Sequence, residues 1–259
     1  MARPSWKCLT AAVVVGGLAL AVPLTVRAEP YVAIMGGIAF TESKKTDSRL
    51  AVNGTTLLDG TFDEVDFNDS PLIGGKAGYF LNYPVLGGHF GAEVEFYYTE
   101  PTASRQTVTF NGTFLGAPAT FPLSIQHAYF EVYTVALNAL YRYPVFTGPD
   151  YPFGRLQPYA GLGLGAFIST MYTRTSPLDH NRYIHDTDVA PGLQVIGGLK
   201  AYVVKHVAFF AEYRYVDTAD FNFNFEKSGT VGGFPATETA RDRSSLTQHQ
   251  LVFGLAIHF

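Results

Sequence analysis

The feature of this chain that most restricts its fold is a regular alternation of apolar and polar residues. It occurs in eight segments, at about 30–41, 71–83, 88–99, 127–143, 157–172, 190–204, 206–217 and 246–259. Because successive side chains of a β-strand point to opposite faces, a period of two predicts strands with one apolar and one polar face. The sequence therefore predicts an all-β fold built from eight long strands.

The two faces of these predicted strands differ in charge. One face is apolar in every segment, whereas the other holds the charged and amide side chains and many glycines. The polar residues of interest on that second face are Lys76, Glu93, Glu95, Asn138, Arg142, Lys200, Glu212 and Arg214. Alternation alone also fits a soluble, lipocalin-like barrel, whose apolar face lies inside. Glycine in a strand marks tight packing, which a narrow lumen crowded with charged side chains requires. We therefore expect the charged face inside and the apolar face toward lipid.

The connections between the predicted strands alternate in length. Four long segments, 42–70, 100–126, 173–189 and 218–245, are separated by shorter links, with 144–156 as a long exception. Transmembrane barrels have short periplasmic turns and long extracellular loops. The pattern predicts an eight-stranded antiparallel up-and-down transmembrane β-barrel with long extracellular loops and both chain ends in the periplasm.

The first 28 residues have the pattern of a secretory signal peptide. Arg3 and Lys7 precede an apolar run at 9–24, and Ala28 ends a small-residue cleavage pattern. We predict cleavage after Ala28, which leaves 29–259 as one β-barrel domain. A retained membrane helix is the alternative, but the run is shorter than the roughly 20 residues that span a bilayer.

Cleavage also changes the composition of the chain. The only cysteine, Cys8, lies inside the signal, and the removed residues carry three cations and no acid. The remaining chain is therefore more acidic than the whole, whose net charge is −4, and this argues against nucleic acid as a partner. After the signal no apolar run is long enough for a membrane helix, so any membrane crossing has to use strands.

Three stretches give the chain its resemblance to a known family. They are QPYAGLGLG at 157–165, AEYRY at 211–215 and the alternating run that ends at 259. The sequence resembles the small eight-stranded outer-membrane barrels, namely the opacity-protein group and the transmembrane domain of outer membrane protein A. The resemblance implies a place in the outer membrane of a Gram-negative-type cell, among outer-membrane lipid and lipopolysaccharide. It also implies recognition by the barrel-assembly machinery through the last strand, at Phe253, Leu255, Ile257 and Phe259.

The charged residues of the inward face are the first candidate site. Glutamates and basic residues on opposite walls can pair across the lumen, and buried charges are tolerated only when they are paired. Eight strands leave an interior just wide enough for side chains to fill. We therefore predict a polar plug that holds the barrel shut, with a narrow ion-conducting channel as the alternative.

Two histidines raise the possibility of a lipid-modifying enzyme. His127 shares a face with Glu131, and His249 shares one with Ser245. Nucleophilic catalysis needs a nucleophile within hydrogen-bond reach of its base, whereas residues four apart in a strand are about 13 Å apart. We therefore predict no catalytic residues and interpret these histidines as interfacial.

Acidic residues crowd two of the predicted outer loops, at 59–69 and 179–188. Neither group has the spacing of a zinc site or an EF-hand. We predict no metal site and no cofactor, and we interpret both groups as solvated loops or as weak contacts for divalent cations at the lipopolysaccharide surface.

The outer loops also contain strand signals. Asn53-Gly54 and Asn111-Gly112 are typical of hairpin turns, and the alternation continues in TVTFNGTFL at 107–115 and in DFNFNFE at 220–226, where Phe221, Phe223 and Phe225 share one side. We expect some strands to continue past the membrane as sheet edges that can bind a partner. The sequence thus favours a non-catalytic surface barrel that serves envelope structure and adhesion or binding of an extracellular protein or surface ligand. A narrow channel and a lipid-modifying enzyme remain as alternatives.

Overall fold

A computed structural model of the protein describes residues 28–125, 127–173, 184–231 and 234–259. The predicted signal peptide, apart from Ala28, lies outside the described residues. The described residues form fifteen strands: β1 (Ala28–Thr41), β2 (Lys44–Val52), β3 (Thr55–Val65), β4 (Ser70–Leu81), β5 (His89–Thr99), β6 (Thr102–Ala103), β7 (Gln106–Phe114), β8 (Ala117–Ile125), β9 (Ala128–Arg142), β10 (Leu156–Thr173), β11 (Ile184–Val204), β12 (Val207–Thr218), β13 (Phe221–Val231), β14 (Phe234–Ser244) and β15 (Thr247–His258). Within these ranges no helix is long and apolar enough to cross a membrane.

Eight of the strands close into a barrel. Their order is β10-β11-β12-β15-β1-β4-β5-β9, and β9 pairs with β10 to complete the ring. Every pairing is antiparallel, and the first strand lies beside the last. Each barrel strand coincides with one of the eight predicted segments, so the prediction of an eight-stranded antiparallel up-and-down barrel is confirmed.

The barrel has an apolar outside and a polar inside. Ile34 is 71% exposed on the outer surface and Leu164 is 67% exposed, whereas the charged side chains at the alternate strand positions are buried. One lumen glycine shows why the inner face needs this residue. A Cβ at Gly163 would lie only 2.0 Å from Asn138 Oδ1 and 2.7 Å from Gln194 Cγ. Glycine there leaves room for amide side chains in the lumen, which is the tight packing that the sequence predicted.

Six further strands form a second sheet at the long-loop end of the barrel, with the order β13-β14-β2-β3-β7-β8. This sheet, called the extension below, is built from three of the four predicted long loops. Because the long loops of transmembrane barrels face the cell exterior, we expect the extension to be extracellular. The predicted continuation of strands at 107–115 and 220–226 is confirmed by β7 and β13.

One of the two predicted hairpin turns is wrong. Asn53-Gly54 joins β2 to β3 with both residues at positive φ, as predicted. Asn111-Gly112 instead lies inside β7, and the turn falls at Leu115-Gly116, with φ of 51° and 80°. Gly112 is opposite Gly60, and a Cβ at Gly112 would lie 2.3 Å from the carbonyl oxygen of Asp59. The glycine thus serves close strand packing under the Phe110 ring, which overrides the local turn signal.

Candidate functional site

The middle of the lumen contains an ion network of five charged side chains. Lys76, on β4, lies at its centre, with Nζ 3.1 Å from Glu93 Oε2 and in contact with Glu212 Oε1. Arg214, on β12, lies with Nη1 2.9 Å from Glu95 Oε2 and Nη2 2.5 Å from Glu212 Oε2. Each cation therefore contacts two carboxylates. These five residues, Lys76, Glu93, Glu95, Glu212 and Arg214, are called the central network below.

Neutral side chains complete the coordination of the central carboxylates. Tyr31 Oη donates to Glu93 at 2.5 Å, and Tyr159 Oη donates to Glu212 at 2.5 Å. Asn138 Nδ2 donates to Glu93 Oε1 at 3.0 Å. Gln194 Nε2 in turn donates to Asn138 Oδ1 at 2.5 Å. Buried carboxylates are stabilised by such combined pairing and hydrogen bonding.

A second group of charges lies nearer the short-turn end. Arg142 Nη2 is 2.5 Å from Glu29 Oε2, and His258 Nδ1 is 2.6 Å from Glu29 Oε1. Tyr202 Oη also donates to Glu29 Oε1, at 2.7 Å. Lys200 Nζ lies 3.3 Å from His258 Nε2 and 4.2 Å from the centroid of the Tyr31 ring, a cation–π distance.

Glu29 is the lumen carboxylate that the sequence analysis missed. The first predicted strand began at position 30, and strand boundaries read from sequence carry errors of a few residues. Glu29 has the same parity as Tyr31 and Met35, which also point inward, so extending the alternation by one step finds it. With Glu29, the described part of the chain places four carboxylates in the lumen with four lysine and arginine cations.

The structure brings all the singled-out polar residues together in the lumen. Lys76, Glu93, Glu95, Asn138, Arg142, Lys200, Glu212 and Arg214 are between 0% and 7% exposed. Register explains the meeting of neighbours, since Lys76 is opposite Glu95 and Glu93 is opposite Asn138. The contacts between distant strands, such as Lys76 on β4 with Glu212 on β12, result from closure of the ring.

Both ends of the lumen are covered by aromatic side chains. At the extracellular end Phe130 packs against Phe67 and Phe223, with ring centroids 5.6 and 6.0 Å apart. At the other end the predicted link 144–156 folds beneath the barrel and places Phe153 edge-on to His89, at 5.3 Å. Gln157 Nε2 fixes this link by donating to the Phe153 carbonyl at 2.9 Å. The ionic layers are thus enclosed between two aromatic layers.

The apolar residues of the last strand lie on the outside of the barrel. Phe253 is 50% exposed and Phe259 is 71% exposed, and Leu255 and Ile257 lie between them on the same face. β15 pairs with β1 on one side and β12 on the other. This position is compatible with recognition of the strand before the ring closes, and that role stays a prediction.

His249 contacts side chains other than Ser245, the residue considered from the sequence. His249 Nε2 is 2.9 Å from Glu42 Oε1, and its Nδ1 is 2.6 Å from Tyr213 Oη. Glu131 accepts a hydrogen bond from Tyr172 at 3.3 Å. A hydroxyl–imidazole–carboxylate series can activate a nucleophile, but acyl transfer also needs free donors for an oxyanion. β15 is paired along both sides here, which engages its backbone N–H groups.

The interpretation of the acidic groups as solvated loops is wrong for most of their described residues, because Asp59 and Asp63 lie in β3 and Asp186 and Asp188 lie in β11, where the last two make structural contacts. Asp188 accepts the backbone N–H of Asn222 at 2.8 Å, and Asp186 accepts that of Asn224 at 2.7 Å. These two carboxylates therefore cap the open edge of β13. Among the described residues no group of three or more histidine, cysteine or acidic side chains is arranged to hold a metal ion. The first part of the second acidic group, at 179–183, lies outside the described residues.

A closed antiparallel barrel with an aliphatic outside and paired charges inside is the architecture of a transmembrane outer-membrane barrel. A family model described as the outer membrane protein beta-barrel domain matches residues 10–259, and the chain belongs to this family. Membership places the protein in the outer membrane, surrounded by lipid and lipopolysaccharide. No curated protein sequence matches the chain.

Several solved structures are similar to this chain. OprG from Pseudomonas aeruginosa is 14% identical over 89% of this chain and 95% of its own, with a TM-score of 0.46. Neisserial surface protein A is 16% identical over 89% and 97%, with a TM-score of 0.38. The outer membrane protease OmpT from Escherichia coli is 10% identical over 93% and 99%, with a TM-score of 0.40. Likenesses at this level carry no argument about activity.

Proposed function

We propose that this protein is a non-catalytic surface barrel that contributes to outer-membrane structure and uses its extension for adhesion or partner binding. The observation that supports this most is the extension itself. Six strands stand outside the membrane, and the nine residues of β7 alone measure about 30 Å along the strand. Spanning the bilayer does not require them.

The packing of the lumen argues against the channel alternative. An ion moving along the barrel axis would meet two aromatic layers and the central network. Arg142 and Arg214 are fully buried, and each contacts at least one carboxylate. Separating one of these pairs would leave a buried charge uncompensated, which costs roughly 3–5 kcal/mol.

The edges of the extension are protected, so its faces are the better binding surface. β13 has its open edge capped by Asp186 and Asp188. β8, at the other edge, carries Pro118 and Pro122, which lack backbone donors. Prolines and charged side chains are the devices by which sheets discourage the addition of a further strand. Binding by the predicted strand addition is therefore disfavoured, and a partner has to use a face or a hairpin tip.

Export and insertion belong to the same proposal. Cleavage after Ala28 makes Glu29 the first residue of the mature chain, so the carboxylate that holds Arg142 lies directly behind the cleavage site. Phe253, Leu255, Ile257 and Phe259 serve as the signal for the barrel-assembly machinery. Sequencing the N-terminus of the protein from purified outer membranes tests the cleavage position.

The decisive experiment removes the extension and keeps the barrel. Segments 44–65, 106–125 and 221–244 are replaced by short Gly-Asn turns in cells that lack other adhesins. We expect a heat-modifiable barrel in the outer membrane and loss of attachment of these cells to polystyrene and to epithelial monolayers. The control is the Leu86→Ser variant, whose substitution lies in the short turn between β4 and β5, at the end of the barrel opposite the extension. Attachment that persists without the extension contradicts the proposal.

A further inference from the structure

The hairpin of β7 and β8 differs from the rest of the extension in carrying no charge. From position 106 to position 126 the sequence contains no lysine, arginine, histidine, aspartate or glutamate. The other two hairpins of the extension, β2–β3 and β13–β14, each contain both cations and acids on their strands. Charged side chains favour a surface that stays in water. The neutrality of this one hairpin therefore indicates a different environment.

The tip of this hairpin is apolar and exposed. Phe114 is 47% exposed and Leu115 is 61% exposed, and the next two residues, Gly116 and Ala117, are exposed as well. The Phe121 ring packs edge-on against Phe114, with ring centroids 6.1 Å apart, so the tip is a small apolar cluster and not a single exposed side chain. β7 begins three residues after β6, which pairs with the barrel strand β9. The tip therefore lies at the end of the hairpin that is farther from the barrel.

The turn at this tip places a leucine in the left-handed region. Leu115 has a φ of 51° and Gly116 a φ of 80°. Asn53 and Gly54, which join β2 to β3, have nearly the same angles, 50° and 80°. Asparagine-glycine is a favoured pair for such a turn, whereas leucine is strained at positive φ. Strain of this kind is retained where a side chain is needed for function.

A second leucine-glycine turn shows where this protein uses the pair. Leu86 and Gly87 join β4 to β5 at the short-turn end of the barrel, with φ of 51° and 81°. Tyr141 Oη donates to the Leu86 carbonyl at 3.1 Å, and tyrosines at the ends of barrel strands lie at the edge of the bilayer. The leucine-glycine pair thus occurs beside lipid, and the asparagine-glycine pair occurs in a charged hairpin. The tip at Leu115 has the version that occurs beside lipid.

Insertion into a bilayer explains these features together. An interfacial segment buries its apolar side chains about 5–10 Å deep, which is two or three residues on each strand at roughly 3.3 Å per residue. Residues 112–119 fall within that depth, and the neutral stretch continues beyond them on both strands. Backbone groups in lipid have to be paired, and β7 pairs with β8 up to the turn, while Pro118 has no N–H to expose. A pocket in a protein would take Phe114 and Leu115 without requiring neutral strands behind them.

We propose that the tip of the β7–β8 hairpin, residues 114–117, inserts into the phospholipid bilayer of an apposed cell. The inference deepens the proposed function, on which it rests, by naming a lipid surface as the partner that the extension binds. Because the hairpin carries no charge, the attraction comes from burial of apolar side chains and not from anionic headgroups. A zwitterionic phosphatidylcholine bilayer is therefore sufficient.

The test places a fluorescent reporter at the tip of the full chain in nanodiscs of unbrominated phosphatidylcholine. Trp6, the only tryptophan, lies in the predicted signal peptide, so the processed Ala117→Trp variant contains a single tryptophan. Vesicles of phosphatidylcholine with brominated acyl chains are added, and bromine quenches only a tryptophan that reaches the acyl region. We expect a blue shift and quenching, equal in high and low salt and with or without phosphatidylserine. Thr55→Trp is the matched control because it directly follows the Asn53-Gly54 turn, and it should stay unquenched.

Leu115→Asn separates a binding role from a structural one. Asparagine is favoured at this positive φ, so the variant should stabilise the hairpin while removing the apolar side chain. Titration of vesicles against nanodiscs held on a sensor surface measures the affinity. We expect the affinity of Leu115→Asn for phosphatidylcholine vesicles to fall by about fivefold to tenfold, since burial of the 61% exposed leucine supplies a transfer free energy of that size. Leu86→Asn, the same change in the turn at the other end, is the control and should bind vesicles like the native chain.

Equal vesicle affinities for Leu115→Asn and the native chain overturn the inference, and so does binding that high salt abolishes. Quenching that appears when only the nanodisc lipid is brominated also overturns it, because the tip then lies in the protein's own bilayer. If removal of the extension abolishes cell attachment while vesicles remain unbound, lipid insertion is refuted and the proposed function stands. If vesicles bind through Leu115 but attachment persists without the extension, the proposed function is refuted and insertion stands.

Discussion

Replacing Asp242 by asparagine should make the extension more stable at neutral pH. Asp242 lies on the inner face of β14, opposite Phe223 and Ser48, and accepts a hydrogen bond from Ser48 Oγ at 2.6 Å. Among the described residues no cation lies within ion-pair distance of it. Burial without a cation raises the pKa of its carboxyl from 3.8 to about 6.

The sign and size of the effect follow from proton linkage. Between pH 3.8 and about 6 the folded extension holds a proton on Asp242 that the unfolded chain has released. The stabilisation is therefore complete below pH 3.8 and is lost as the pH rises through the folded pKa near 6. A difference of about 2 pKa units corresponds to roughly 3 kcal/mol. Asparagine keeps an acceptor for Ser48 and never ionises, so Asp242→Asn should recover that free energy above pH 6.

Amide hydrogen exchange of β13 and β14 measures this free energy locally, in detergent micelles from pH 3.5 to 8 after correction for intrinsic exchange. The native chain should lose protection across the titration, and Asp242→Asn should remain protected. Asp47→Asn, on the outer face of the adjacent strand, is the matched control. The reasoning is refuted if both variants follow the same pH profile, or if asparagine at 242 lowers protection at pH 7.

Four other outcomes are expected. Lys76→Met removes the cation that pairs with Glu93, whereas Glu212 keeps Arg214, and it should cost about 3–5 kcal/mol in urea unfolding, more than the double variant Lys76→Met/Glu93→Gln. Gly112→Ala should destabilise the extension, seen as faster proteolysis, because the new Cβ meets a backbone oxygen at 2.3 Å. The native chain should show no steady openings in planar bilayers, and openings that vanish in Arg142→Gln would contradict the closed lumen. His249→Ala should leave lipid A and phospholipid unchanged in mass spectra, whereas a lost modification would reveal an enzyme.

The barrel could be predicted from the sequence because its outer surface and its lumen require opposite kinds of side chain. Lipid outside requires an unbroken apolar face, and a narrow lumen collects the charges on the opposite face, so each strand carries the same local pattern. Ile34 and Leu164 outside, with Lys76 and Glu212 inside, obey a rule that needs no knowledge of neighbouring strands. Local periodicity was therefore sufficient for the eight strands and for most lumen residues.

The particular partners of those residues depend on non-local geometry. Lys76 meets Glu212 only after the ring closes, and the series Glu42–His249–Tyr213 joins β15 and β12 to the segment that follows β1, a neighbourhood that alternation does not encode. The turn predicted at Asn111-Gly112 was wrong for a related reason. Gly112 is required for close pairing of β7 with β3, and this requirement cannot be read from the local sequence. The sequence predicted the extension only in part. Its strands lie outside the lipid and have a water-facing polar surface, so their alternation of apolar and polar residues is weaker than that of the barrel strands.

Glu29 gives the lumen a property that concerns the order of events during insertion. It sits at the start of the first strand and reaches residues of the ninth, the eleventh and the last, through Arg142, Tyr202 and His258. Because His258 lies on β15, which pairs with β1, the contact between Glu29 and His258 forms only when these two terminal strands meet. Opening the ring at this seam would separate the two side chains, so pairing of Glu29 is coupled to closure of the barrel.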